Sequence, residues 1–559
     1  MGIATSRIDE RILCALGQGT HAHVAFEHNE AVTDAGVLFL LPALLAQGLL
    51  KFKELYRVAQ SHYYSLESIV LTFAYMALLR IKNPEQLKQC KPGELGRIMG
   101  LDRVPEVKCL RQKLHLFTQQ GQSRELNNLL IDLWYKDSAE DGQFLYIDGH
   151  TRVYYGHKAN LPVKFISRQK LCLTATTEYW VNDAKGMPVM MVMGELTEKL
   201  QQAIEQYIIP ELLKTCLLPQ AQSNKQPRCT FVFDREAYEP AFFIRLWEKY
   251  RIAIITYRKN VKDIWQQSMF INTDVQILEN NVTMQLCEMG TELGGYWFRE
   301  VRSLSEGGHQ TAIITTHHTL AMPIIAGRMF GRWCQENFFR YLIYDYDFDK
   351  IVSFGVEAID PKKEIVNPAY RQINHELKKL REKIGRLEAK FYPLLQQVMD
   401  EDLDKFPSIT DKQAKYAELL EEYRRDEKSV LERRAQTPAR IKICQMTEKQ
   451  KYNKLKTESK VIMNIIKMIC YRAETVMANL SIPYLTKGRE EMRMFIKQIT
   501  RTSADIIPDY QNNTLTIRLH SLSTPHYNEA ANQLALLLTQ SETIYPGTNL
   551  RIIYKTTAT

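Results

Sequence analysis

The chain lacks any pairing that would make its cysteines a framework. Ten cysteines are scattered over 559 residues with no C-x-x-C pair, which argues against a zinc ribbon or a disulfide scaffold and fits a reducing cytosol. Long apolar runs are missing too. The longest, Ala35 to Leu50, contains Pro42 and Gln47 and falls short of the roughly 20 residues of a membrane span. No secretory signal is expected, because Arg7, Asp9, Glu10 and Arg11 interrupt the first dozen residues. Charge of one sign is scarce: 73 Lys and Arg against 64 Asp and Glu leave +9, which suits nucleic acid without demanding it. With 45% apolar residues the chain reads as globular, and its length allows several domains. The expected location is the cytoplasm, with no membrane partner.

What stands out against this background is three acids. Asp148 ends the apolar run Phe144-Leu-Tyr-Ile-Asp148-Gly-His. Asp234 ends another, Cys229-Thr-Phe-Val-Phe-Asp234-Arg-Glu236. Glu336 lies in Gly331-Arg-Trp-Cys-Gln-Glu336-Asn-Phe-Phe-Arg340, which reads as a helix. Two carboxylates at strand ends and one on a helix suit a pair of magnesium ions, since hard cations take oxygen ligands and paired ions clamp both oxygens of a phosphoryl displacement. Taken singly, each acid has a plainer reading. An aspartate after a strand is commonly a turn residue, and Glu336 between Arg332 and Arg340 reads as a helix-surface ion pair. Asp345, Asp347 and Asp349 form a rival acidic cluster that reads as a solvated turn. His317-His318 is a poor joint ligand, because adjacent strand residues point to opposite faces.

The pattern divides the chain into a helical N-terminal domain (1–135), an α/β domain (140–350), a charged helical region (365–480) and a small α+β cap (490–559). Thr33 to Tyr56 and Ser65 to Ile81 carry apolar residues at helical spacing. Pro92 to Gly100, a break at Leu101–Pro105, and Glu106 to Phe117 could form a helix-turn-helix, with Lys108, Arg111, Lys113 and His115 on its second helix. The plainer reading is a solvated helix pair. From Phe144 the order is three strands, helix, strand, helix, strand, with a hairpin turn at Asn182-Asp-Ala-Lys-Gly186. A β-rich insertion follows over about 260–322, and a helix is expected from about Ile325 through Glu336 to Tyr344. Ile373, Leu377, Leu380, Ile384, Leu387, Phe391, Leu394 and Val398 alternate steps of four and three, a coiled-coil seam. A hairpin folding on itself and a dimeric coil are both open.

The motifs Asp148-Gly-His, Asp234-Arg-Glu and Arg332-Trp-Cys-Gln-Glu336-Asn337-Phe, in this order and with a β-rich insert before the third, resemble the DDE transposases of bacterial insertion sequences. So do Asn367-Pro-Ala-Tyr-Arg, Tyr471-Arg-Ala-Glu474 and Tyr545-Pro-Gly-Thr-Asn-Leu-Arg551 further on. The resemblance implies a multidomain α/β protein with an RNase H-like mixed-sheet core. It implies Asp148, Asp234 and Glu336 as catalytic residues and ligands of two Mg²⁺ ions, with Mn²⁺ as a substitute. Its DNA would be double-stranded terminal inverted repeats and target DNA, bound by a homodimer near the bacterial nucleoid. The subgroup's signature sets a tyrosine three residues before the arginine and a lysine seven after the glutamate. Arg332 and Glu336 match, whereas Met329 and Ile343 depart from it, and Arg340 is the candidate substitute for the lost phosphate contact. Arg332, Arg235, Arg258 and Lys259 near the acids, and Lys108, Arg111 and Lys113 in the N-terminal helices, are the expected DNA contacts. Trp297 in the insert would either stack on a flipped base or fill a core. The alternative function is a catalytically silent, transposase-derived DNA-binding protein.

Overall fold

The computed structural model describes residues 7–19, 21–58, 63–137, 142–156, 159–166, 169–194, 198–219, 226–347, 355–400, 407–447, 451–485 and 489–557. They form a mixed α/β structure of two compact units, Met1–Tyr155 with Val163–Phe354 and Lys456–Thr559, and Gly156–Pro162 with Gly355–Leu455. The segments read as N-terminal domain, α/β domain and cap therefore share the first unit, and the charged region is divided at Leu455.

In the first unit, strand β1 (Asn29–Val32) precedes the segment Thr33–Tyr56. There Pro42 and a left-handed Gly48 (φ +87°) break the expected helix into short pieces, among them Leu41–Ala46 and Phe52–Leu55. No single helix among the described residues is long and apolar enough to cross a membrane. Helix α1 (Leu66–Leu78) is capped by Ser65, whose hydroxyl accepts from the Ser68 N–H, and is almost wholly buried. Helices α2 (Pro92–Ile98), α3 (Val107–Gln120) and α4 (Ser123–Tyr135) follow, with Gly100 in a left-handed turn between the first two.

The central sheet has ten strands. Its first part comprises β2 (Phe144–Val153), β3 (Val163–Ile166), β4 (Leu171–Asn182), β5 (Pro188–Gly194), β6 (Cys229–Phe233) and β7 (Ile252–Tyr257). Strand β2 lies antiparallel to β4 and parallel to β6, β4 is antiparallel to β5, and β6 is parallel to β7. Helix α5 (Pro240–Tyr250) makes the crossover that a parallel pair requires. The insertion is β8 (Ile271–Ile277), β9 (Asn280–Leu293), β10 (Tyr296–Leu304) and β11 (Gln310–Thr315). It is not a separate body: β11 pairs antiparallel with β7, so the insert prolongs the same sheet. The single helix expected from Ile325 is two, α6 (Met322–Phe330) and α7 (Trp333–Tyr346), broken at Gly331-Arg332. Gly327 lets α6 lie directly on β8, since a Cβ there would stand 2.4 Å from the Gln276 carbonyl.

The second unit holds two short strand pairs, β12 (Val356–Ala358) with β15 (Asn453–Leu455) and β13 (Glu364–Val366) with β14 (Arg440–Lys442). The latter pair lies at the base of helices α8 (Pro368–Asp400) and α9 (Pro407–Gln436). Ion pairs Arg433–Glu376, Arg381–Glu427 and Arg424–Glu388 run antiparallel across the two helices, and Leu377, Ile384, Leu420 and Val430 are buried. The apolar seam is thus used within the chain, as a helical hairpin. The side chains of Leu394 and Val398 lie outside the described residues.

Returning to the first unit, α10 (Glu458–Leu480) is a buried helix, although its sequence reads as charged. Lys460, Lys467, Arg472 and Glu474 are all less than a tenth exposed. Arg472 donates to the Pro188 carbonyl (2.9 Å) and the Tyr135 hydroxyl (3.3 Å), and Glu474 pairs with Arg80 (2.8 Å). These charges tie the N-terminal helices to the central sheet. Helix α11 (Arg489–Arg501), β16 (Ala504–Asp509), β17 (Thr514–Leu519), α12 (Pro525–Gln540) and β18 (Arg551–Thr556) complete the chain, and β1 joins their sheet in the order β1-β16-β17-β18.

Candidate metal and DNA site

Parallel pairing places Ile147 opposite Phe233, so Asp148 and Asp234 lie side by side. Only Asp234 ends its strand as expected; Asp148 lies inside β2, which runs on to Val153 because it stays paired with β4. Each carboxylate accepts a backbone N–H from the next residue, Gly149 at 2.9 Å and Arg235 at 2.7 Å. Gly149 keeps the edge open. A Cβ there would stand 3.2 Å from both Glu236 Oε2 and the Tyr179 ring.

Helix α7 brings in Glu336. Arg332 donates to Glu336 Oε1 at 2.8 Å and lies 4.0 Å from Asp148 Oδ2. This half-buried i,i+4 pair is worth a few tenths of a kcal/mol and does not hold the helix in place. Gln335 does. Its fully buried amide donates to the Tyr146 carbonyl (3.1 Å) and Asn182 Oδ1 (3.1 Å) and lies 3.4 Å from the Trp180 carbonyl. Loss of such a group strands buried acceptors, at about 1–3 kcal/mol. Phe338 against Trp180 and Phe339 against His150 pack the same helix face onto β2 and β4. Gln335 was not singled out in the sequence, where a glutamine beside charged residues looks like surface.

Burial pushes the Asp148 carboxyl up to about 6; Arg332 opposes this, while Glu236 and Asp234 add to it. Arg332 Nε is buried with no hydrogen-bond partner. Tyr257, at the end of β7, is a further member of the site: Arg332, Asp234, Arg235 and Glu336 all act on it electrostatically.

The other candidates are placed as follows. Arg235 is exposed, its guanidinium 5.6 Å from the Tyr257 ring centre, and Arg340 is exposed one turn beyond Glu336. Arg258 is committed to Glu300 (2.6 Å), because β10 and β11 bring that buried glutamate beside β7. Lys259 is half-buried, 5.7 Å from the Tyr238 ring centre. Trp297 is 68% exposed on β10, which rules out the core reading. Lys108 and Arg111 are exposed on α3, and Arg111 pairs with Glu85. Lys113 instead faces inward at 6% exposure, since it shares the helical stripe of Leu110, Leu114 and Phe117. Burial lowers its amine to about 8. Met329 is fully buried and Ile343 packs against the core, so neither offers a phosphate contact. Asp345 is not a solvated turn residue: it is 7% exposed and paired with Arg80 (3.2 Å) and Lys497 (2.6 Å). Asp349 lies outside the described residues. His318 meets Trp247 edge to face, and the His317 ring accepts from the Leu320 N–H, so they face separate partners.

Among the described residues, no three His, Cys, Asp or Glu side chains stand close enough to hold a metal ion as they are. The donor chemistry at the edge still fits a hard divalent cation. All donors are carboxylate oxygens, and Glu236 and Asp234 add to the upward shift that burial gives Asp148.

A mixed α/β sheet with carboxylates side by side on adjacent parallel strands defines a class of fold and site. The particular family comes from comparison. A family model described as "Transposase protein" matches residues 2–558. The chain belongs to that transposase family, whose members act on DNA. No curated protein and no solved structure matches it.

Proposed function

We propose that this transposase is of the DDE type, with an RNase H-like core, cutting and joining DNA phosphodiester bonds at the ends of a bacterial insertion sequence. The observation that carries this reading is that adjacent parallel strands set Asp148 beside Asp234, while Arg332 at the start of α7 reaches both Asp148 and Glu336. The strand order β5-β4-β2-β6-β7, with only β4 running against the rest, supports it.

In this reading Asp148, Asp234 and Glu336 hold two Mg²⁺ ions, which would lower the pKa of the attacking water or 3′-hydroxyl and stabilise the leaving 3′-oxygen. The chain's own residues supply the rest. Gln335 fixes the pitch of α7 and so the reach of Glu336 toward β2. Arg332, with its Nε–H unpaired, takes a phosphate oxygen while neutralising Glu336. Arg235 and Arg340 lie exposed around the edge and hold the backbone on either side. Trp297, exposed on the insert, offers a stacking face for an unpaired base. Lys108 and Arg111 on α3 position a second stretch of duplex.

Sulfur substitution tests the metal contact. A phosphorothioate at the cut phosphate should slow cleavage in Mg²⁺, with Mn²⁺ restoring the rate because it tolerates sulfur better. An equal rate in both ions, with and without sulfur, would remove the metal from the reaction.

A further inference from the structure

Strands β2, β6 and β7 are adjacent and parallel, with Ile147 opposite Phe233 and Val232 opposite Ile255. Continuing those registers puts Asp148, Asp234 and Tyr257 in one row across the carboxyl edge, with neighbouring strands about 4.8 Å apart. All three continue the face on which Tyr146, Val232, Ile255 and Met329 pack. Tyr257 is the uncommitted member of the row. The hydroxyls of Tyr146, Tyr179 and Tyr341 are held by Arg328 O, Glu198 O and Glu474. The Tyr257 hydroxyl has no hydrogen-bond partner among the described residues, and its ring carries the guanidinium of Arg235 at 5.6 Å.

We propose that Tyr257 and Arg235 form a phosphate subsite, in which the phenol donates to a non-bridging oxygen of a DNA phosphate next to the one held at Asp148 and Asp234. The proposal rests on the DDE reading, since it takes those two aspartates to mark the cut. A phenol and a guanidinium are both donors, and the row offers no other uncommitted donor side chain. Burial holds the phenol above its ordinary pKa, so it stays protonated at neutral pH. The stacked guanidinium supplies charge without displacing the hydroxyl.

The test pairs Tyr257→Phe with duplexes spanning the nick that the wild-type chain makes, each carrying one neutral methylphosphonate in place of a phosphate. Wild-type protein should lose about tenfold or more in cleavage when the contacted phosphate is neutralised, the scale of a hydrogen bond to a charged group. Tyr257→Phe should cut the all-phosphate duplex more slowly by a similar factor and lose nothing further at that one position. Arg235→Gln should shrink the same penalty. Penalties that add at every position, or a Tyr257→Phe variant that cuts like wild type, would overturn the subsite. Matching thermal melts separate either result from misfolding. Failure of the DDE reading looks different: an Asp148→Ala variant would cut normally, whatever Tyr257 does.

Discussion

Replacing Asp148 with asparagine should stabilise the fold while abolishing cleavage. The carboxyl is raised from 3.8 to about 6, chiefly by burial. At 1.36 kcal/mol per pH unit, that makes the ionised group about 3 kcal/mol less favourable in the folded chain than in the unfolded one. Asparagine has no charge to bury but gives up the attraction of Arg332, so a gain of about 1–3 kcal/mol is expected. The pH dependence has a definite sign. Below 3.8 the carboxyl is protonated in both states and costs nothing. Between 3.8 and about 6 the folded chain holds the proton more tightly, so wild-type stability falls as pH rises, and above 6 the full cost applies. Urea denaturation at pH 7 and at pH 4 should therefore show the advantage of Asp148→Asn at pH 7 and little of it at pH 4. Added Mn²⁺ should stabilise the wild type and not the variant. A variant no more stable than wild type at pH 7, or an advantage independent of pH, would refute the reasoning.

Three further outcomes follow from the geometry. Gln335→Ala should lower stability by about 2 kcal/mol, from the stranded acceptors on β2 and β4, and should slow cleavage while leaving DNA affinity intact; denaturation and gel-shift assays check both. Lys108→Ala with Arg111→Ala should reduce the slope of log affinity against log salt by up to about 1.8, two phosphate contacts at about 0.9 each. Lys113→Met should leave that slope unchanged, because its amine faces inward. Trp297→Ala should not change the melting temperature, the ring being 68% exposed, but should weaken binding to DNA with an unpaired base at the cut, read by fluorescence titration.

Asp148 and Asp234 were legible because each closes an apolar run; for Asp234 the run is the whole strand β6, whereas β2 runs on past Asp148 to Val153, where alternating polar residues hide it. Glu336 was expected on a helix, but nothing local says that this helix is separate, after a break at Gly331-Arg332, nor that a buried glutamine sets its reach. The β-rich insert was readable from alternation and glycines, but its union with β7 depends on long-range pairing. Arg258 looked free for the same reason, its partner Glu300 being 42 residues away. Lys113 was recoverable, since it falls on the apolar stripe of its own helix, and the counting of charges obscured that phase. The hardest feature was α10. Its Lys460, Lys467, Arg472 and Glu474 make it look charged, yet each is buried, in a helix shared by segments that look like separate domains in the sequence.

The central claim is that Asp148, Asp234 and Glu336 act together on DNA, and nicking of a plasmid that carries this reading frame with its flanking DNA tests it most directly. The wild-type chain should nick it in Mg²⁺ and not in EDTA, while Asp148→Ala, Asp234→Ala and Glu336→Ala should each bind the plasmid and leave it intact. Nicking by any of the three at the wild-type rate, or undiminished nicking in EDTA, would contradict it.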